Sequence, residues 1–151
     1  NDLFNLKTIV LRYFSVYGHR QRGDIEHAGV IAKFFLQAKE NKDITIYGDG
    51  SQRRNFSMVL DVVKGTLLSA VKDKAVGEII NIASEKEYTV KEIAENIIEM
   101  TNSKSKIIFL EPLKGDPMRN KADTSKANGI LEFQADYDLE KGLDYIYKKL
   151  L

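Results

Sequence analysis

Ile44-Thr-Ile-Tyr47-Gly-Asp-Gly50-Ser-Gln-Arg53-Arg54-Asn-Phe56 carries the fold reading of this chain. Its first four residues are β-branched or aromatic and predict a strand, which Gly48-Asp-Gly50 cuts off as a dense turn signal. Asn55 to Val59 reads as a further short strand. Helical periodicity flanks this block on both sides. From Ala28 to Asn41, Ile31, Phe34, Phe35 and Ala38 recur at helical spacing. Asp61 to Lys72 predicts a second helix, with Asp61 as its cap and Val63, Leu67, Leu68 and Val71 as its buried stripe. Upstream, Thr8 to Phe14 is a near-continuous apolar run, as expected of a strand covered on both faces. Downstream, Glu78 to Ala83 and Lys106 to Leu110 predict strands, the second ended by Pro112. Thr89-Val-Lys-Glu92 is a capping box opening a helix through Met100. Asp123 is the expected cap of a short helix over Ser125 to Leu131. Asp138 is that of a last helix with Leu139, Leu143, Ile146 and Leu150 on one face. Strands and helices alternate, so the fold class is α/β.

Composition narrows the functional classes. The 151 residues are 43% apolar and 30% charged, with 23 basic and 22 acidic side chains and a formal net charge of +1. That balance argues against binding nucleic acid through bulk charge. The absence of cysteine excludes disulfide frameworks, thiolate zinc sites and thiol catalysis. No apolar run approaches the roughly 20 residues of a membrane span, and Asn1 to Lys7 does not read as a signal peptide. The expected setting is cytoplasmic, with no membrane partner. Few strands are available to a first strand that reads as buried on both faces, so the chain is expected to be part of a longer fold.

Two clusters have the chemistry of a site. In the quoted stretch an aromatic ring ends a strand, a glycine turn exposes backbone, and two arginines follow. Neighbouring strand residues point to opposite faces, so one of Arg53 and Arg54 points into a given cleft. A guanidinium there suits bidentate phosphate binding, and Tyr47 suits stacking on a planar base. A solvated hairpin with arginines paired to carboxylates explains the same residues. The second cluster, Arg12-Tyr-Phe-Ser-Val-Tyr-Gly18, sits at a strand's carboxyl end, where ligands gather in open α/β sheets. A buried aromatic pair is the alternative. His19 and His27, with Asp24 and Glu26 between them, match no helical zinc spacing and read as solvated loop histidines. Asp116, in Gly115-Asp-Pro117, reads either as a contact to a ligand hydroxyl or as a turn former. Lys148-Lys149 reads as a solvated helix end.

Taken in order, these segments resemble the C-terminal half of the NAD-dependent epimerase/dehydratase family, the extended short-chain dehydrogenase/reductases acting on nucleotide sugars, and within it the UDP-glucose 4-epimerases. Leu11-Arg-Tyr-Phe-Ser-Val-Tyr-Gly18 resembles LRYFNVYG, and Ile44 to Phe56 resembles IxIYGDGxQxRDF. Val59-Leu-Asp-Val62, Ile80-Asn-Ile-Ala-Ser84, Gly115-Asp116, Ala122 to Ala127 and Leu139 to Leu143 are similar to VDDV, YNIGS, GD, ADxSKA and LEEGL. The resemblance implies a last Rossmann strand and loop over residues 1–20 and a nucleotide-sugar-binding region over residues 21–151.

It also implies roles. Arg54 would bind the diphosphate of a UDP-sugar, Tyr47 would pack on the base, and the Thr45 backbone would read the base edge. Ser15 stands where the family has a phosphate-contacting asparagine, and Asp116 joins the substrate set. Tyr13 and Phe14 would line the nicotinamide end of the NAD site. The family's glycine-rich loop and catalytic Tyr-x-x-x-Lys belong to its other half. Tyr145 to Lys149 has that spacing but falls in the last helix, where it is expected to be peripheral. Without those parts the chain is expected neither to catalyse nor to bind NAD alone. In the complete enzyme the expected reaction is interconversion of UDP-glucose and UDP-galactose. A 4,6-dehydratase, a decarboxylase and a non-catalytic remnant are the alternatives. Asn55 replaces aspartate, Leu60 replaces the first aspartate of VDD, and Leu113 replaces a second arginine, for which Lys114 would compensate. An uncovered first strand predicts self-association or pairing with a Rossmann half.

Overall fold

The computed structural model describes Phe4 and residues 6–150, so the reading of Asn1 to Lys7 falls in part outside the described residues. In chain order the elements are β1 (Val10–Tyr13), β2 (Val16–Tyr17), α1 (Val30–Lys39), β3 (Ile44–Tyr47), β4 (Arg53–Arg54), β5 (Ser57–Met58), α2 (Val59–Val71), β6 (Ile79–Ile82), β7 (Tyr88–Thr89), α3 (Val90–Thr101), β8 (Ile107–Leu110), β9 (Arg119–Asn120), α4 (Ser125–Leu131) and α5 (Leu139–Leu150). The alternation expected from the sequence is present, and Thr89 and Glu92 form the capping box of α3 reciprocally. Asp123 accepts from the Ser125 N–H at 2.9 Å, one residue ahead of the formal cap Thr124, and Asp138 accepts from Lys141 N–H at 2.9 Å.

The strands pair in small parallel sets: β1 with β6, β2 with β5, and β3 with β8. β4 joins β7 antiparallel on one side and β9 parallel on the other. Two apolar clusters hold these sets. The larger gathers Phe34, Phe35, Ile44, Ile46, Met58, Ile93, Ile97 and Leu143 beneath α1, α3 and α5. The smaller packs Val62, Ile80, Ile82, Leu131 and Phe133 around β6.

Four expectations are corrected. β1 is not covered on both faces: Val10 and Tyr13, which alternate to opposite faces of the strand, are both exposed. On α2 three of the four residues of the expected buried stripe face outward, with Val63, Leu67 and Val71 at 48%, 63% and 76% exposure, while Leu68 is partly buried against the smaller cluster. The packed side of α2 is instead Asp61, Val62, Gly65 and Ser69. Small residues let the helix approach closely: a Cβ added at Gly65 would lie 2.8 Å from Ile82 Cγ2. Asp61 is not the cap either, since α2 starts after Met58. Its buried carboxylate accepts the N–H groups of Asp136 (2.9 Å) and Tyr137 (3.1 Å), and burial pushes its pKa up against those bonds. At the chain's end Leu150 is exposed while Leu139, Leu143 and Ile146 are buried.

Candidate functional site

A cavity of about 700 Å³ opens between the loop after β1, the start of α1, β3, β4 and the loop after β8. That size is in the range of small-molecule sites. Ser15, Thr45, Tyr47, Arg54 and Asp116 all line it. Five side chains or segments spread over a hundred residues of sequence thus meet in one place, and the aromatic ring and the guanidinium share the crevice.

Each is placed by local structure. The turn after β3 needs left-handed backbone, supplied by Gly48 (φ 76°) and Gly50 (φ 77°). Asp49 fixes that turn by accepting from the N–H (2.9 Å) and hydroxyl (2.6 Å) of Ser51, which holds its carboxyl below the usual range. Buried Gln52 donates to the Tyr47 carbonyl at 2.8 Å and so ties the end of β3 to β4. β4 then aims Arg54 into the cavity and Arg53 outward, as strand alternation requires. Asn55, fully buried, donates to the carbonyls of Ser84 (2.9 Å) and Lys86 (3.1 Å) and accepts from Ala122 N–H (2.7 Å). Aspartate could not make both donations, which accounts for asparagine here.

The guanidinium is already engaged. Arg54 Nη2 donates to Asp116 Oδ1 at 2.6 Å and Nη1 to the Arg53 carbonyl at 2.8 Å, with the Arg54 side chain 12% and that of Asp116 37% exposed. Leu113, on the same loop as Asp116, also lines the cavity, whereas Lys114 does not. Lys114 therefore does not compensate for the missing arginine in this arrangement.

Backbone supplies a second recognition element. The N–H groups of Ile44 and Gly48 donate to Lys106 and Leu110 carbonyls at 2.8 and 2.9 Å. A parallel strand turns alternate residues to each side. The N–H and C=O of Thr45 therefore face the other edge of β3, where no strand pairs among the described residues. The Thr45 hydroxyl accepts from Gln37 at 3.3 Å and takes no part in that edge. Ser15 sits at φ 38°, a left-handed conformation in which asparagine is more at ease than serine.

Tyr13 and Phe14 are not brought to the cavity. The Thr66 hydroxyl donates to the Val62 carbonyl (2.7 Å), so the exposed Tyr13 hydroxyl donates to Thr66 Oγ1 at 3.0 Å. Tyr145 and Lys149 likewise lie outside it. His27 is exposed at the cavity wall, as a loop histidine. His19 is half-buried rather than fully solvated: its ring packs edge-on against Tyr145 at 5.9 Å, and its Nδ1 is buried without a partner among the described residues. Among the described residues no cluster suits a metal ion, and no helix is long and apolar enough to cross a membrane. Sequence reasoning missed Gln52, a buried pin between two strands, and Lys33 on α1, which also lines the cavity.

The chain is similar to several known proteins. The profile of the NAD dependent epimerase/dehydratase family matches residues 1–83. A UDP-N-acetyl-alpha-D-glucosaminuronate decarboxylase of Bacillus cytotoxicus is 37% identical over 93% of this chain and 45% of its own length. The crystal structure of UDP-glucose 4-epimerase from Thermotoga maritima with UDP-glucose superposes with a TM-score of 0.91 at 33% identity, over 99% of this chain and 49% of that one. UDP-glucuronic acid 4-epimerase from Bacillus cereus, in complex with UDP-glucuronic acid and NAD, gives 0.86 at 32% identity, over 97% and 47%. The chain thus spans about half the length of these relatives.

Proposed function

This chain belongs to the NAD dependent epimerase/dehydratase family, and on that footing we propose that its main cavity holds the nucleotide end of a UDP-sugar. Its fold corresponds to about half of an extended short-chain dehydrogenase/reductase fold. The observation that carries the proposal is the convergence of Tyr47, the open Thr45 backbone edge and Arg54 on one cavity. The ring stacks on the base, while the Thr45 N–H and C=O pair with the base's edge, donor to acceptor and acceptor to donor. Arg54 leaves Asp116 to take the diphosphate, and Asp116, released, accepts a hydroxyl of the ligand. Ser15 borders the phosphate path.

In the complete protein the reaction is 4-epimerisation of a UDP-hexose. The decarboxylase at 37% identity favours a second reading, removal of a carboxyl group from a UDP-uronate. Both use the same nucleotide handle, so the cavity described here serves either. The cofactor of the family is NAD, but the described residues do not fit it by themselves. β1 runs on into β2 with no glycine-rich turn and no helix whose N-terminus could face a pyrophosphate. Tyr13, intended for the nicotinamide end, is bonded to α2 instead. No hydride step is therefore assigned to these residues, and the chain by itself turns over no UDP-galactose.

Calorimetric titration with UDP tests the reading, with Arg54→Ala as control. Binding that weakens at least tenfold in the variant upholds it, since a charge-assisted phosphate contact is worth about 1.5–3 kcal/mol. Equal binding by both proteins, or none by either, overturns it.

A further inference from the structure

Besides His27, a lysine and an arginine line the cavity, and the two are held in opposite ways. Arg54 is committed to Asp116 and to a backbone carbonyl. Lys33, on the second turn of α1, forms no ion pair among the described residues. Its Nζ lies 5.7 Å from the centroid of the Tyr47 ring, and both side chains line the cavity. The carboxylates of the same wall are Glu26, on the loop before α1, and Asp116, already spent on Arg54. Leu113 offers the cavity no charge.

The nucleotide reading makes this arrangement informative. A diphosphate brings at least two negative charges, and one guanidinium shared with a carboxylate meets them poorly. A base stacking on the cavity side of Tyr47 must also displace whatever covers that ring. Resting on the UDP reading above, we propose that Lys33 is the second phosphate-binding cation of the site. It is parked on Tyr47 when the cavity is empty and moves to the ligand's diphosphate when a base takes the ring. The parked contact is weak, since an ammonium over a ring at a half-exposed position gains little. The new contact is a charge-assisted hydrogen bond within a cavity, which is stronger. The four-carbon stem supplies the swing, its ammonium being a point charge on rotatable bonds. Base and phosphate recognition are thereby coupled through one side chain.

Titrations of the full chain with UDP and with uridine separate this role from others. Lys33→Met keeps the stem and removes the charge. The expected result is UDP binding weakened about tenfold, as for loss of one charged contact, with uridine binding unchanged or tighter because the ring is uncovered. The dependence of UDP affinity on salt becomes shallower, and Lys33→Arg recovers most of the loss. UDP binding by Lys33→Met at the wild-type level overturns the proposal and leaves the UDP reading standing. Equal loss of UDP and uridine also overturns it, by making Lys33 a contact of the ring or base. Failure of the wild-type chain to bind UDP removes the nucleotide reading and this proposal together, an outcome distinct from the other two.

Discussion

Replacing Asn55 by alanine is the sharpest test of how the site is held in place. The side chain is fully buried and makes three hydrogen bonds, to Ser84, Lys86 and Ala122. It thereby clamps the residue after Arg54 to the loop following β6 and to the chain entering α4. Each such bond contributes about 1 kcal/mol net, so Asn55→Ala is expected to cost about 3 kcal/mol, with two carbonyls and an N–H left in a dry interior. With a urea slope of about 2 kcal/mol/M, the unfolding midpoint falls by about 1.5 M. Asn55→Asp makes the argument pH-dependent. An aspartate there faces two carbonyl oxygens in the interior, so its folded pKa rises above the unfolded value of about 3.9. A raised folded pKa gives stability that is present below the unfolded pKa and lost as pH rises through the folded one. Urea melts of Asn55→Asp between pH 4 and pH 7 should therefore show falling stability, relative to wild type, across that range. A loss under 1 kcal/mol in Asn55→Ala, or a flat profile in Asn55→Asp, refutes the clamp.

Gly142 on α5 lies against the buried Tyr17 hydroxyl, which has no partner, and an added Cβ would collide with it. Gly142→Ala should cost about 2 kcal/mol, and adding Tyr17→Phe should restore most of it; a thermal melt showing independent effects would contradict the contact. Ser15→Asn should relieve left-handed strain and gain about 0.5 kcal/mol, raising Tm by about 1–3 °C; a lower Tm counts against it. Light scattering should show association that grows with concentration and diminishes in Leu67→Glu; a monomer at high concentration rules out association through α2.

Element order was legible because periodicity and caps are local: β3 falls on its predicted residues, and the capping box of α3 is formed as read. The site residues on β3 and β4 were legible for the same reason, since strand alternation decides which arginine enters a cleft. The facing of α2 was not. Periodicity located a stripe of large apolar residues, and size was equated with burial. The helix packs through Val62, Gly65 and Ser69 because small residues allow a closer approach to Ile82 and Phe133. Asn55 was visible only as a departure from aspartate; its reason is two carbonyls from a loop thirty residues away. Nor could spacing reveal that Asp116 would occupy Arg54, a pairing across 62 residues.

Among the strands with an unpaired edge, β1 and β3 stand in different surroundings, which gives their edges different meanings. Val10 N–H donates to Glu78 at 3.0 Å, so the backbone groups of Leu11 and Tyr13 face the unpaired side of β1, just as those of Thr45 face the unpaired side of β3. As hydrogen-bonding templates the two are equivalent. Around β3 stand an aromatic ring, a guanidinium, an ammonium and two carboxylates, enclosed in a cavity. Such a setting rewards a small polar ligand with a flat face and negative charge. Around β1 the exposed apolar side chains are Val10, Tyr13 and Ile79, beside exposed Arg12, with Val63, Leu67 and Val71 on α2. Apolar surface of that kind gains most by covering area, which a protein face does and a nucleotide does not. On the proposed reading, the same kind of unsatisfied backbone meets a nucleotide at β3, while at β1 it accords with the expected self-association or pairing with a Rossmann half. If UDP bound while Leu67→Glu left association untouched, the division would hold for β3 alone, and the apolar side of α2 would need another explanation.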